Sequence, residues 1–232
     1  MMRLFIRVFY LWLNIFLHWY ATHNEDGKLK LTDALVHYLI KSGVSHVFGL
    51  QGGAVVHIFD SFERLGINVT YTNHEESAAL AAVAHAKVTG ELGCVVVTTG
   101  PGSTNAITGL LAAWQDSIPC IFISGQVRSN HTSYGRKVRQ VGTQEVNICD
   151  IVSPITKFTK FIDGKDEFIS YLEKAIYIAF DGRPGPVWID VPIDFLGKTI
   201  FEKNLKHFYF DKSQNEMKFQ NLRRKKNKNS KI

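Results

Sequence analysis

His74-Glu75-Glu76, the Ala-rich run Ser77–Ala86 behind it, and Thr98-Thr99-Gly100-Pro101-Gly102-Ser103-Thr104-Asn105 further on carry more structural information than any other part of this chain. The first places two acids where an extended run gives way to a helix. The second places a glycine-proline-glycine turn at an equivalent junction after another apolar run. In a parallel α/β sheet such turns open on one edge, at the carboxyl ends of the strands, where ligands bind. A carboxylate and a backbone-rich turn therefore face one crevice.

Working outward from that pair, the chain alternates strand and helix. Leu31, Leu35, Tyr38 and Leu39 recur at helical spacing, with Thr32 or Asp33 as caps and Gly43 as the stop. Val44–Phe48 reads as a strand, Leu50-Gln51-Gly52-Gly53 as a tight turn, and Val55–Leu65 as a helix. Asn68 lies in an expected buried strand, Ile67–Thr72, which leads into a helix over Glu75–Thr89. Cys94–Thr99 is too apolar for a half-exposed strand and is expected to be central. A single helix over Ser103–Trp114 and a strand over Cys120–Ser124, closed by Gly125, follow. Beyond the basic stretch Ser129–Gln140 come Lys157–Ile162, a helix over Glu167–Phe180 and the strand Val187–Val191. This rhythm predicts an α/β fold, a parallel sheet covered by helices on both faces. The expected division is a hydrophobic extension and linker over residues 1–28, one domain over 29–200, and a basic, disordered tail over 201–232.

Charge and cysteine usage narrow the class. The net charge of +6 equals the contribution of Arg223, Arg224, Lys225, Lys226, Lys228 and Lys231, so the folded part is neutral. No aromatic residue interleaves that run, and no nucleic-acid partner is expected. Cys94, Cys120 and Cys149 fit no metal spacing and read as reduced, buried thiols of a cytoplasmic protein. Met1–Tyr20 is rich in Leu, Ile, Phe and Trp, but Asn14 and His18 interrupt it, and a spanning helix needs about 20 apolar residues. Membrane contact through residues 1–20 and a cleaved signal, for which Trp19-Tyr20-Ala21-Thr22 is a poor cleavage site, are the alternatives to an incidental extension. Asn68-Val69-Thr70 and Asn130-His131-Thr132 match the glycosylation triplet, which matters only in a secreted chain.

Two nucleotide motifs are excluded. No GxGxxG follows a strand, and Gly197-Lys198-Thr199 ends like a P-loop but has Pro192 where its first glycine belongs. Taken singly, the remaining features have plain readings. Gly52-Gly53 can serve a helix start, Glu75 can favour a helix dipole, and Ser103 or Thr104 can cap a helix. The adjacent acids directly after a strand argue for more. The small residues Ala78, Ala79, Ala81, Ala82, Ala84 and Ala86 behind them predict close helix–helix packing next to the acid.

The series Val47-Phe48-Gly49-Leu50-Gln51-Gly52-Gly53-Ala54, His74-Glu75-Glu76, Thr99–Asn105, Asp116-Ser117-Ile118-Pro119, Ser124-Gly125-Gln126-Val127, Gln144-Glu145 and Arg183-Pro184-Gly185-Pro186-Val187 resembles the N-terminal, pyrimidine-binding domain of thiamine diphosphate-dependent enzymes. Within them it is most similar to the acetolactate synthase group. The resemblance covers roughly Lys30–Gly197 and implies the three-layer thiamine diphosphate-binding fold. It assigns Glu75 to the N1′ nitrogen of the cofactor's aminopyrimidine, where a partly buried carboxyl shares its proton and so prepares the cofactor to lose its thiazolium C2 proton. It places Gly52, Gly53, Pro101, Gly102 and Asn105 along the pyrimidine, and Gln144 toward a 2-oxo acid substrate.

Two positions depart from the family's pattern. Leu50-Gln51 replaces a Tyr-Pro pair, and Thr143 replaces an aromatic residue before the substrate-facing Gln. Both leave room for a related decarboxylase or lyase. Mg2+ and the diphosphate are held in the family by a second domain bearing Gly-Asp-Gly and Asn-Asn, and nothing after Gly125 matches. The resemblance therefore implies a module incomplete alone, working as a homo-oligomer or with a diphosphate-binding partner subunit, and FAD belongs to the full-length family. The alternatives are a subunit of a split decarboxylase of the sulfopyruvate or phosphonopyruvate type, and an inactive truncated product.

Overall fold

The structure, a computed structural model, describes residues 28–208. Its centre is a six-stranded parallel sheet in the order β3-β2-β4-β5-β7-β6. The strands are β2 (His46–Gly49), β3 (Asn68–Tyr71), β4 (Gly93–Val97), β5 (Cys120–Gln126), β6 (Phe158–Phe161) and β7 (Val187–Pro192). Every residue of β4, β5 and β7 is buried, so these near-continuous apolar runs form the middle of the sheet. Each fully buried Val, Ile or Phe there is worth about 1.5–3 kcal/mol relative to exposure.

Helices cover both faces of the sheet, as crossover connections between parallel strands require. The helices α1 (Leu31–Lys41), α2 (Val56–Leu65) and α7 (Phe168–Phe180) enclose one apolar cluster, with Leu35, Phe62, Phe168 and Leu172 at its heart. The helices α3 (Glu75–Thr89), α5 (Ile107–Asp116) and α6 (Ile148–Val152) enclose the other, around Phe122 and Trp188. Those two rings stack at 5.0 Å. The Ala-rich face is used as expected: α3 lies so close to α5 that a Cβ on Gly109 would stand 2.4 Å from Ala79 Cβ. So small a face has little to bury alone and pointed to a partner outside the chain; the structure corrects this, since the face packs against α5 of the same chain.

Several local expectations are corrected. Thr32 and Asp33 do not cap α1; both are buried, and Ser61 bridges them at 2.7 and 2.6 Å while Arg64 pairs with Asp33. The helix expected over Ser103–Trp114 is two pieces, α4 (Pro101–Asn105) and α5, broken at Ala106. The strand expected to close at Gly125 runs through it to Gln126. Asn68 opens an edge strand whose residues are mostly exposed, because β3 pairs on one side alone.

A small antiparallel pair was not foreseen. β1 (Lys28–Lys30) pairs with β8 (Thr199–Phe201), which follows α8 (Ile193–Leu196), so the end of the domain is tied to its beginning. Beyond it, the Phe208 amide donates to Glu173 of α7 at 2.7 Å. The boundary expected at residue 200 falls inside β8. The hydrophobic N-terminal segment and the Arg/Lys-rich tail lie outside the described residues. Among the described residues no helix is long and apolar enough to cross a membrane, and no group of three His, Cys, Asp or Glu side chains is placed to hold a metal. The three cysteines are free and buried. Burial pushes the Cys120 and Cys149 thiols up to about 12.

Candidate functional site

The strand order creates the site. The chain leaves β2 for β3 on one side and returns past β2 to β4 on the other, so the loops after β2 and β4 diverge. Ligands bind in α/β sheets at such a switch point. Gly52-Gly53 follows β2, His74-Glu75 follows β3, and Gly100-Pro101-Gly102 follows β4, all at the same sheet edge.

Glu75 occupies the first turn of α3 and is 7% exposed. Its Oε2 accepts a hydrogen bond from Asn105 Nδ2 at 3.0 Å, which links α3 to the last residue of α4. Its Oε1 lies beside Gly102, where a Cβ would stand 3.2 Å from it and 2.7 Å from Thr98 Cγ2. His74 is the N-cap of the same helix, its Nδ1 accepting from the Glu76 amide at 3.2 Å. One acid of the pair is therefore buried at the crevice, and its neighbour is turned aside.

The glycines have separable roles. A Cβ on Gly52 would stand 2.5 Å from Thr98 Cβ, so the chain's own packing excludes a side chain there. Around Gly53 nothing lies within 4 Å of the corresponding position. Packing does not require a glycine at that position, and the open space suits a flat group approaching the backbone. Gly100 has φ of +66°, and its missing Cβ would collide with the Gln144 carbonyl at 2.3 Å.

Gln144 is drawn in from far along the chain. It has φ of +61°, unusual for a residue with a side chain, and the side chain is exposed. Glu145 organises the loop before it by accepting from Ser133 Oγ at 2.7 Å, the Val141 amide at 2.8 Å and the Gly142 amide at 3.2 Å. Burial alone would raise the Glu145 carboxyl, but the amide donors of Ser133, Val141 and Gly142 hold it below the usual value.

Glu75, Asn105, Gly102, Pro101, Gly52 and Gly53 thus share one sheet edge, and the Gln144 backbone abuts it through Gly100. The motifs contained Thr98, against which both Gly52 and Gly102 pack, and the buried Thr99 and Gln126, but gave them no role, and the buried Asp190 was not singled out at all. For Gln126 and Asp190 the signal was a polar residue inside an otherwise apolar central strand. The donor set fits an aminopyrimidine: a buried carboxyl oxygen, an exposed glycine backbone and a helix start converge. Nothing in this set suits a diphosphate, which needs cationic or metal partners.

The family described as "Thiamine pyrophosphate enzyme, N-terminal TPP binding domain" matches residues 29–151. The chain is 43% identical over 168 residues to the acetolactate synthase large subunit of Haemophilus influenzae, covering 72% of this chain and 28% of that protein. It is 40% identical over 165 residues to the acetolactate synthase isozyme 3 large subunit of Escherichia coli K12, covering 71% and 28%. For the Buchnera aphidicola (subsp. Schizaphis graminum) large subunit the values are 39% over 179 residues, 75% and 30%. The chain thus spans under a third of the length of these relatives, and the family match over residues 29–151 contains Gly52, Gly53, Glu75, Pro101, Gly102, Asn105 and Gln144. The chain belongs to the thiamine pyrophosphate enzymes, matching their N-terminal, cofactor-binding domain.

Proposed function

We propose that the chain supplies the pyrimidine-binding half of an acetolactate synthase-like enzyme acting on 2-oxo acids. The observation that carries this reading is the buried Glu75 carboxyl at the switch-point crevice, oriented by Asn105 and bordered by Gly102. The bound cofactor supplies the carbanion chemistry of 2-oxo acid decarboxylation and carboligation. Glu75 shares a proton with the pyrimidine ring nitrogen, and Asn105 keeps its second oxygen occupied so that the free one points inward. Gly52, Gly53, Pro101 and Gly102 border the ring, and Gln144 faces the substrate.

Mg2+, the diphosphate and any FAD would be held by further protein, in the same polypeptide or a partner subunit. The module spans 29–200 in this reading, flanked by the N-terminal extension 1–28 and the basic tail 201–232, and it works in the cytoplasm as part of an oligomer. The exposed apolar residues Leu80, Leu111 and Trp114 on the packed pair α3 and α5 support assembly there with a second copy.

A complementation assay tests the proposal. The 232-residue chain alone should not decarboxylate pyruvate with thiamine diphosphate and Mg2+. Adding the diphosphate-binding portion of an acetolactate synthase large subunit should produce acetolactate in a manner requiring this chain. Turnover by the chain alone would overturn the half-site reading; no product from any 2-oxo acid in the mixture would overturn the enzyme reading.

A further inference from the structure

A continuous polar network runs beneath the sheet edge from the core to Gln144, and the cofactor contacts do not use it. Strand alternation puts Phe122, Ser124 and Gln126 of β5 on one face, and Ser124 pairs in register with Asp190 of β7. The Trp188 indole N–H donates to Ser124 Oγ at 2.8 Å, and the Ser124 hydroxyl donates to Asp190 Oδ1 at 2.6 Å. Gln126 Nε2 donates both to Asp190 Oδ2 at 2.9 Å and to the Val146 carbonyl at 2.8 Å. These two acceptors fix the amide's orientation, leaving Gln126 Oε1 to accept from the Val127 amide at 2.9 Å and the Thr99 hydroxyl at 2.8 Å. The Thr99 hydroxyl also faces the Gln144 carbonyl at 3.3 Å.

Gln126 is fully buried, Asp190 is 1% exposed and Thr99 is 6% exposed. A buried polar network of this kind is costly unless every member is satisfied, and when satisfied it fixes one geometry. What it fixes here is a strained place. Gln144 is left-handed, its carbonyl rests against Gly100, and, two residues on, the Val146 carbonyl is held by Gln126. An exposed loop residue would ordinarily relax out of that backbone region.

We propose that Gln126 and Thr99 are positioning residues for Gln144, clamping its left-handed backbone over the Gly100 turn so that its side chain is presented beside the Glu75 crevice. The substrate-facing role of Gln144 rests on the function proposed above; the clamp itself does not. Asp190 anchors the clamp beside Ser124 and Gln126, and the Gln126 amide cannot turn without leaving its oxygen facing the Val146 carbonyl, another acceptor.

Two measurements test this on the full chain and on the complemented complex. Thr99→Val removes the hydroxyl at nearly constant volume, whereas Thr99→Ser retains it. Amide hydrogen exchange over residues 141–147 should accelerate roughly tenfold in Thr99→Val while the amides of β4 and β5 stay protected, and Thr99→Ser should restore the slow rate. Unchanged exchange in Thr99→Val, or a Ser variant as fast as the Val one, would overturn the clamp. Gln126→Ala gives a second reading, with the same local acceleration expected and unaltered exchange at 141–147 counting against it.

In the complemented complex, Thr99→Val and Gln144→Ala should each lower kcat/KM for pyruvate, and the double variant should be no worse than Gln144→Ala alone, since residues acting through one another are not additive. Multiplicative losses would show that Thr99 does not act through Gln144. Full activity of Gln144→Ala would remove the substrate-facing role and leave the exchange data to decide the clamp.

Discussion

Asn105 Nδ2 donates to Glu75 Oε2 across 3.0 Å, joining the end of α4 to the start of α3 at the mouth of the switch-point crevice. Consecutive residues at a helix start point about 100° apart. Glu75 therefore turns inward to Asn105 and Gly102, while Glu76 is left half-buried beside His74.

That geometry separates the two acids experimentally. In the complemented complex, Glu75→Gln should slow deuterium exchange at the cofactor's C2 by about 10²–10⁴-fold, the usual worth of general acid–base assistance. Glu76→Gln should change it little. Collapse of exchange in the Glu76 variant with survival in the Glu75 variant would place the acid one residue away.

The crossing of α3 and α5 predicts a packing cost. Gly109→Ala puts a Cβ 2.4 Å from Ala79 Cβ, so the helices must separate. Overpacking of this kind costs about 1–3 kcal/mol, which should appear as a lower urea midpoint with an unchanged slope. Adding Ala79→Gly should recover part of the loss. A midpoint equal to that of the unaltered chain would mean that the crossing is looser than described.

Asp190 gives a pH signature. Burial pushes its carboxyl up to about 7, against the opposing pull of the Ser124 and Gln126 donors. Between the ordinary carboxylate value and about 7 the folded chain keeps a proton that the unfolded chain has lost. Its contribution to stability is thus complete at low pH and is lost as pH rises through this window, with a slope of at most about 1.4 kcal/mol per pH unit. Asp190→Asn can still face Gln126 with its oxygen and Ser124 with its amide. The difference between the two stability profiles should fall across pH 4–7; parallel profiles would mean that Asp190 is ionised throughout.

Leu80 and Leu111 are 42% and 40% exposed on the paired helices α3 and α5. Sedimentation of the full chain should show self-association at high micromolar concentration, and Leu111→Lys should weaken it by placing a charge in an apolar contact. A monomer at all concentrations would locate assembly elsewhere.

How much of this was legible in sequence follows from the range of the forces involved. Local periodicity and turn chemistry identified most of the strands and the helix α3 to within a residue or two, because hydrophobic spacing and strand-to-helix turns are written in adjacent residues. The motif series pointed to the cofactor-binding domain, and its match over residues 29–151 agrees. The sequence also paired Glu75 with the Pro101–Asn105 turn, since parallel strands force both to one edge.

Other features depended on the assembled sheet. Strand order alone put the switch point between β2 and β4, exposed β3 at an edge, and brought β8 back to β1. Thr32 and Asp33 looked like caps until the packing of α1 against α2 buried them beside Ser61 and Arg64. The bond from Asn105 to Glu75 and the path from Asp190 through Gln126 and Thr99 to Gln144 join residues distant in the chain. Sequence by itself determined which segments could be strands, helices and turns. Tertiary structure decided which buried polar groups meet, because their pairing depends on register between strands that no local pattern encodes.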